Sequence, residues 1–309
     1  MTSNTQPAGP LIEAPTTALR SADVLELFAA VENHDHRHPL SERKWLDLAA
    51  GYRHGSFGIA ARQNAALVGY AHVWHGSSAG RNDWSLEVVV HPALRPGELT
   101  AQLIDGAVQA CRSRDGGVVR AWFAGPTAEN EALVRGRGFA PSRDLHELRR
   151  PLPMDEATEL PPTARLRTFE PGADDAAWLE LNNSAFRAHP EQGLWTEDDL
   201  LTRMQQPWFD PGGLLLLEEG GRLVGSCWTK RHGHEGIGEI YVVGVDPREH
   251  GRRLGRALTI AGLDSLWRRG ATVGMLYCDA GNDVAMHLYT KLGFTMHLLH
   301  RSYALDLDG

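Results

Sequence analysis

Cysteine is scarce: Cys111, Cys227 and Cys278 are the only three in 309 residues, far apart and odd in number. That excludes a disulfide framework, and no pair has the short spacing of a metal site. Positive charge is also short. A formal net charge of -8 excludes a nucleic-acid binder held by a global positive field. The longest aliphatic run, Leu214 to Leu217, falls far below the ~20 residues needed to span a bilayer, so no membrane partner is expected. The opening MTSNTQPAGP has neither a basic head nor an apolar core, so no secretory signal is visible and a cytoplasmic location is expected. Two nucleotide signatures are missing as well. No GxGxxG follows a first strand, and no Lys-Ser/Thr pair follows a glycine loop. The histidine-rich NHDHRHP at 33–39 lacks a cysteine or carboxylate frame of metal-site spacing, and no metal is expected.

What the chain does have is internal repetition. LEVVVHPAL at 86–94 reads like YVVGVDPRE at 241–249, and ENEALVRGRGF at 129–139 like GNDVAMHLYTKLGF at 281–294. Pro92 precedes Phe139 by 47 residues, and Pro247 precedes Phe294 by the same 47. Upstream, AALVGYAHVW at 65–74 matches GRLVGSCWTK at 221–230. Three pairs in order, with an offset near 155, indicate a fold written twice. The expected boundaries are a first domain at 1–150, a Pro-rich acidic linker at 151–164 and a second domain at 165–309.

Each half runs in the same order: two helical segments, two short strands, a VVGV-type strand, a loop and a long helix, then a strand and a short helix. Ser41 and Thr196 are placed to cap the second helix of each half. HLLHRSYAL reads as a closing strand. The pattern predicts an α/β protein with a mixed central sheet flanked by helices in each half.

The loop REHGRRLG at 248–255 lies between a strand and a helix. Unpaired amides of a helix start and its dipole favour an anion there. Gly251 and Gly255 permit close backbone approach, and Arg252, Arg253 and Arg256 can neutralise phosphate oxygens. An Arg-rich, solvated helix start would read the same way.

Strand, VDP, basic glycine-containing loop, helix, second strand and AGNDVAMHLYTKLGF together closely resemble the GCN5-related N-acetyltransferase family. The family signature, Gln/Arg-x-x-Gly-x-Gly/Ala, falls on His250, Gly251, Arg252, Arg253, Leu254 and Gly255. His250 replaces its first residue and Arg253 its first glycine. The resemblance implies two tandem domains of this family and acetyl-CoA as co-substrate. It implies amides at Val243, Gly244 and Val245 along the pantetheine arm, and amides of 250–256 around the pyrophosphate. Asn282, Asp283, Val284, Ala285, Met286 and His287 would lie beside the cofactor, and Val88, Val89 and Val90 form the corresponding strand of the first domain.

NNSAFRAHPEQGLWTEDDL at 182–200 and GSCWTK at 225–230 are similar to one tandem branch of the family, found in actinobacteria. That resemblance implies an acceptor amine on a cysteine–glucosamine–inositol pseudodisaccharide. It also implies a small-molecule partner and direct transfer within a ternary complex, with the chain acting as a monomer. By family position Glu239 is the base and Tyr289 the acid that protonates the leaving sulfur. Glu191, Lys230, Tyr277 and, from the first domain, Glu42 would contact the acceptor together with Glu239. His189 and His287 are further candidates for acceptor or cofactor contacts. Another small-molecule or peptide amine, or a CoA-binding protein without chemistry, are the alternatives.

The halves differ where chemistry is expected. At the offset of 155, Trp84 stands opposite Glu239, Val134 opposite Tyr289, Pro96 opposite Gly251 and Glu98 opposite Arg253. Proline removes a donor and glutamate brings negative charge to the phosphate position. The first domain is therefore expected to be non-catalytic and to shape the acceptor cleft.

Overall fold

The computed structural model describes residues 9–308 except 79, 96, 188–194 and 234–235. The chain divides into two units, Met1–Asp144 with His300–Gly309, and Leu145–Leu299.

In the first unit, β1 (Leu11–Ile12), α1 (Ser21–Asp35) and α2 (Glu42–Ala49) precede an antiparallel run of β2 (Phe57–Gln63), β3 (Ala66–Ser78) and β4 (Arg81–Val90). After α3 (Glu98–Arg112), β5 (Val118–Ala124) pairs parallel with β4. Leu99, Leu103, Ile104, Ala107, Val108 and Cys111 recur at helical spacing along α3. They pack with Phe57, Ile59 and Leu86 from one face of the sheet. Val24, Phe28 and Val31 of α1 cover the other face over Tyr70 and Val89. Thr127 caps α4 (Ala128–Arg135) by accepting from the Asn130 amide.

The second unit repeats this plan. After β6 (Ala140–Pro151) come β7 (Ala164–Thr168), α5 (Asp175–Ala185) and α6 (Glu197–Met204), then β8 (Leu214–Glu219), β9 (Arg222–Arg231) and β10 (Ile237–Val245). Then α7 (Leu254–Arg268), β11 (Val273–Asp279), α8 (Asp283–Lys291) and β12 (Thr295–Asp306) follow. The β7-β8-β9-β10 run is antiparallel, and β11 lies parallel to β10. Leu254, Leu258 and Ala261 of α7 pack with Leu217, Val224, Cys227 and Ile240 on one face. Trp178, Leu200 and Trp228 form the core of the opposite face. Thr196 caps α6 as its sequence predicts, whereas Ser41 stands at the start of α2 without a side-chain cap bond.

The closing strands are exchanged. Residues 145–151 of β6 pair with β11, and residues 300–306 of β12 pair with β5. Each compact unit therefore takes its last strand from the other half of the sequence, which differs from a cut at the linker. All three cysteines are free and buried; burial pushes the Cys227 thiol up to about 12 and Cys278 up to about 11. No helix among the described residues is long and apolar enough to cross a membrane.

Candidate active site

Two departures from regular pairing create a slot in the second unit. On one side of β10, Ile240 opposes Thr229 and Val242 opposes Trp228, leaving Tyr241 as an extra, bulged residue. On the other side, β10 and β11 pair only from Ile237–Val273 to Glu239–Met275. Beyond Glu239 the strands part, so the stretch Val242–Val245 is held by β9 alone among the described residues. Amides of that stretch not used by β9 face the gap and need a partner. Val243, Gly244 and Val245 all lie there, as their sequence context predicts.

Register places Lys230, Glu239, Met275 and Tyr277 on one face, because each pairs directly with, or lies two residues from, the next. Glu239 is buried, with 6% of its surface exposed, and its Oε2 lies 2.8 Å from Nε2 of His232. The Lys230 ammonium sits 4.6 Å above the Trp208 ring and 5.4 Å from that of Tyr241. Tyr277 keeps 42% of its surface exposed while hydrogen-bonding Glu147, its cross-strand neighbour. Desolvation, then the nearby Glu239 and Glu147 carboxylates, hold its hydroxyl above the ordinary range.

Tyr289 belongs to the opposite face. It is buried on α8, edge-on to Phe294, in the cluster that contains Cys227, Leu276 and Cys278. Burial, then the neighbouring thiols, push its hydroxyl above the usual range, and no described residue hydrogen-bonds it. The slot between β10 and β11 thus has a carboxylate on one side of the sheet and a phenol on the other.

Next to the slot, the loop before α7 matches an anion cradle. Gly251 has φ +83° and Arg253 has φ 61°, a left-handed conformation that glycine adopts at no steric cost. The first intrahelical bond of α7 runs from the Ala257 amide to the Arg253 carbonyl, which leaves the amides of 254–256 unpaired within the helix. Three arginines are engaged elsewhere. Arg252 ion-pairs with Glu219 at 2.6 Å and with Glu249. Arg248 and Arg222 both hold Asp246. Hydrogen bonds from Arg252 draw Glu219 down to about 2, and those from Arg248, against burial, draw Asp246 down to about 2. Arg253 and Arg256 make no ion pair among the described residues. Sequence reasoning grouped Arg252 with them; its carboxylate partners lie up to 33 residues away.

The other predicted residues fall as follows. Asn282 caps α8 by accepting from the Ala285 amide, Val284 is 83% exposed, Asp283 and His287 are exposed, and Ala285 and Met286 pack partly into the core. His250 precedes Gly251 in the loop. Glu42 opens α2 in the first unit, as do Val88, Val89 and Val90 the end of β4. Glu191 and His189 lie outside the described residues.

One pairing read from the sequence is corrected. Lys230 pairs with Glu239 and Trp74 with Ser85, while Ser85 pairs with Arg120 as Glu239 pairs with Met275. Ser85, not Trp84, occupies the position of Glu239. The bulge at Tyr241 adds one residue to β10 and shifts the match by one. His232 has no distinguishing sequence signal: in KRHGHEGIGE, seven residues before Glu239, it reads as an ordinary turn residue.

The profile of the acetyltransferase (GNAT) family matches residues 176–294, the span that holds the slot and the cradle. A mycothiol acetyltransferase of Thermomonospora curvata is 44% identical over 286 residues, covering 91% of this chain and 92% of its own. One of Thermobispora bispora is also 44% identical, over 88% of this chain and 91% of its own. Among solved structures, a GCN5-related N-acetyltransferase from Sphaerobacter thermophilus superposes with a TM-score of 0.72 at 25% identity, over 98% of this chain and 97% of its own. A tandem GNAT protein from the clavulanic acid pathway shares the fold, with a TM-score of 0.71 at 16% identity, over 96% of this chain and 98% of its own. With near full-length identity of this order and the slot and cradle in the matched span, the chain belongs to the mycothiol acetyltransferase family of GNAT acyltransferases.

Proposed function

We propose that this acyltransferase moves the acetyl group of acetyl-CoA onto the cysteinyl amine of desacetylmycothiol, giving mycothiol. The observation that carries the reading is the slot itself, open after Glu239, with Glu239 on one face and Tyr289 on the other. Acetyl-CoA supplies the activated thioester when bound. The residues fit it: Val243–Val245 offer backbone donors, Gly251 and the unpaired amides of 254–256 offer an anion site, and Arg253 and Arg256 supply charge.

Glu239 takes the proton from the acceptor ammonium, which makes the amine a nucleophile. Tyr289, kept protonated by burial, gives its proton to the departing sulfur, and the second proton that the nitrogen loses as the amide forms restores the phenol through solvent. An amide near Val243 polarises the thioester carbonyl. Lys230, Tyr277 and Glu191 contact the hydroxyl-rich acceptor; the first domain has Ser85 and Val134 in the positions of Glu239 and Tyr289. Holding both substrates in one site removes much of the entropic barrier, so no protein nucleophile is required.

The test is an acetylation assay with desacetylmycothiol, its inositol-free analogue and an unrelated amine. The first is expected to be turned over most efficiently; equal rates for all three would overturn the acceptor assignment. Glu239→Gln should lose kcat by roughly 10²–10⁴-fold and Tyr289→Phe by about 10²-fold, with acetyl-CoA affinity retained. Calorimetry alongside kinetics checks both, and unchanged turnover removes the role from that residue.

A further inference from the structure

Glu239 poses a proton problem that its own surroundings answer. After it takes a proton from the ammonium it is a neutral acid with only 6% of its surface exposed, and it must lose that proton before the next turnover. His232 stands directly behind it. The residue follows β9 immediately, and its amide donates to the Ile237 carbonyl at 3.0 Å, which fixes the chain where the two strands approach. Nε2 lies 2.8 Å from Glu239 Oε2, yet 35% of the His232 side chain is exposed. The exposed side lines a cleft of about 550 Å³, together with Trp208, Arg231, Gly233 and Arg269. One imidazole therefore joins a buried carboxylate to a wide opening.

We infer that His232 is a proton relay, receiving the proton of each turnover from Glu239 and releasing it into this cleft. The inference rests on the assignment of Glu239 as the base. The ammonium proton passes to Glu239, then from its carboxyl oxygen to Nε2 of His232, while Nδ1 releases a proton to water in the cleft. The carboxylate is restored and the imidazole ends neutral with its Nε2–H donating to Glu239; when Glu239 next takes a proton, exchange through water to the Nδ1–H tautomer frees Nε2 to accept it. No oxidant, metal or further reactant is needed. Several charged and titratable groups surround it. Glu239 faces it from β10 with Tyr277 beyond on β11, Arg231 is its chain neighbour, Lys230 lies on β9, and Arg269 is ion-paired to Asp210 at the far wall. A histidine is the side chain suited to exchanging protons near neutral pH.

His232→Ala should reduce kcat roughly a hundredfold in dilute, non-nucleophilic buffer, without raising the KM for acetyl-CoA. Added imidazole should restore kcat in a saturable, concentration-dependent manner, while the unsubstituted protein stays insensitive to it. His232→Gln keeps a hydrogen-bond donor for Glu239 but cannot carry a proton. It should be as slow as the alanine variant, which separates relay from positioning. Full turnover in His232→Gln, or a slow His232→Ala that imidazole does not restore, overturns the relay. Glu239→Gln alone and combined with His232→Ala completes the experiment. Normal turnover in Glu239→Gln overturns the base assignment itself, whereas an inactive Glu239→Gln beside a fully active His232→Gln overturns only the relay.

Discussion

The two units begin from the same strands and diverge at a single residue. In the second, Tyr241 bulges out of β10, and β10 stays with β11 for only three pairs, up to Glu239. In the first, β4 pairs with β3 without interruption, and its parallel pairing with β5 continues through Glu87–Trp122. A bulge kinks its strand and twists it away from a neighbour. Its absence keeps the first slot closed over residues that the second unit leaves open. The chemistry of the same face has been replaced as well. Ser85 stands in the place of Glu239, and the ammonium of Lys44 donates to it at 2.9 Å and to Glu87 at 2.8 Å. Glu87 also accepts the Ser41 amide at 2.7 Å, satisfying the backbone donor that precedes α2, while the Ser41 side chain makes no cap bond. Beside it run Asp47, His72, Tyr70 and Tyr52 in a continuous hydrogen-bonded line. Where the second unit has a buried carboxylate beside His232, the first has the Lys44 ammonium, paired with Glu87.

If that description is right, Lys44 is structural and its loss should be the largest effect in the first unit. Burial works to raise the Glu87 carboxyl, but the Lys44 ammonium and the Ser41 bonds hold it below the ordinary range. Lys44→Met would leave Glu87 charged, only 14% exposed and without its cation, at a cost of about 3–5 kcal/mol. Glu87→Gln added to Lys44→Met should recover most of that, and kcat of either folded variant should not change. Urea denaturation with parallel kinetics decides it. A kcat deficit in a stable Lys44→Met protein would mean that the first unit takes part in the chemistry.

Much of this was legible in the residues, and the exceptions have physical causes. Tandem repetition, the strand ending in VVGVDP, the helix after it and the cap at Thr196 all follow from spacing and residue type. The bulge did not, because one inserted residue changes pairing without disturbing an apolar pattern, and so Trp84 was aligned where Ser85 stands. Exchange of the closing strands was equally hidden. β6 and β12 have the same order of exposed, half-buried and buried positions, so burial pattern does not say which sheet each completes. Local charge groups Arg252 with Arg253 and Arg256 and does not reveal that Glu219 and Glu249 pair with it. His232 carried no pattern, only a position beside Glu239 that pairing of β9 with β10 brings about.

The arginines sharpen the comparison at the cradle, where the first domain has Glu98 in place of Arg253. Arg253→Ala and Arg256→Ala should each weaken acetyl-CoA binding about tenfold, near 1.4 kcal/mol, since each removes a charge free to meet phosphate. Arg252→Ala should change affinity much less, because its charge is already neutralised by two carboxylates. Calorimetric titration of the three variants separates these roles, and a tenfold loss in Arg252→Ala alone would reverse them.

A smaller effect isolates geometry from charge at the same residue. Arg253 holds φ 61° immediately before α7, where a side chain costs about 1–2 kcal/mol and glycine pays no such steric penalty. Arg253→Gly and Arg253→Ala remove the same guanidinium, so both lose the same phosphate contact. Only the glycine variant relieves the backbone, against a greater loss of chain entropy on folding. Arg253→Gly should therefore be more stable than Arg253→Ala by about 1 kcal/mol in urea denaturation, with the two affinities for acetyl-CoA falling together. Equal stabilities would mean that the loop yields at no cost and that the glycine of the family signature serves close approach to the ligand rather than backbone conformation.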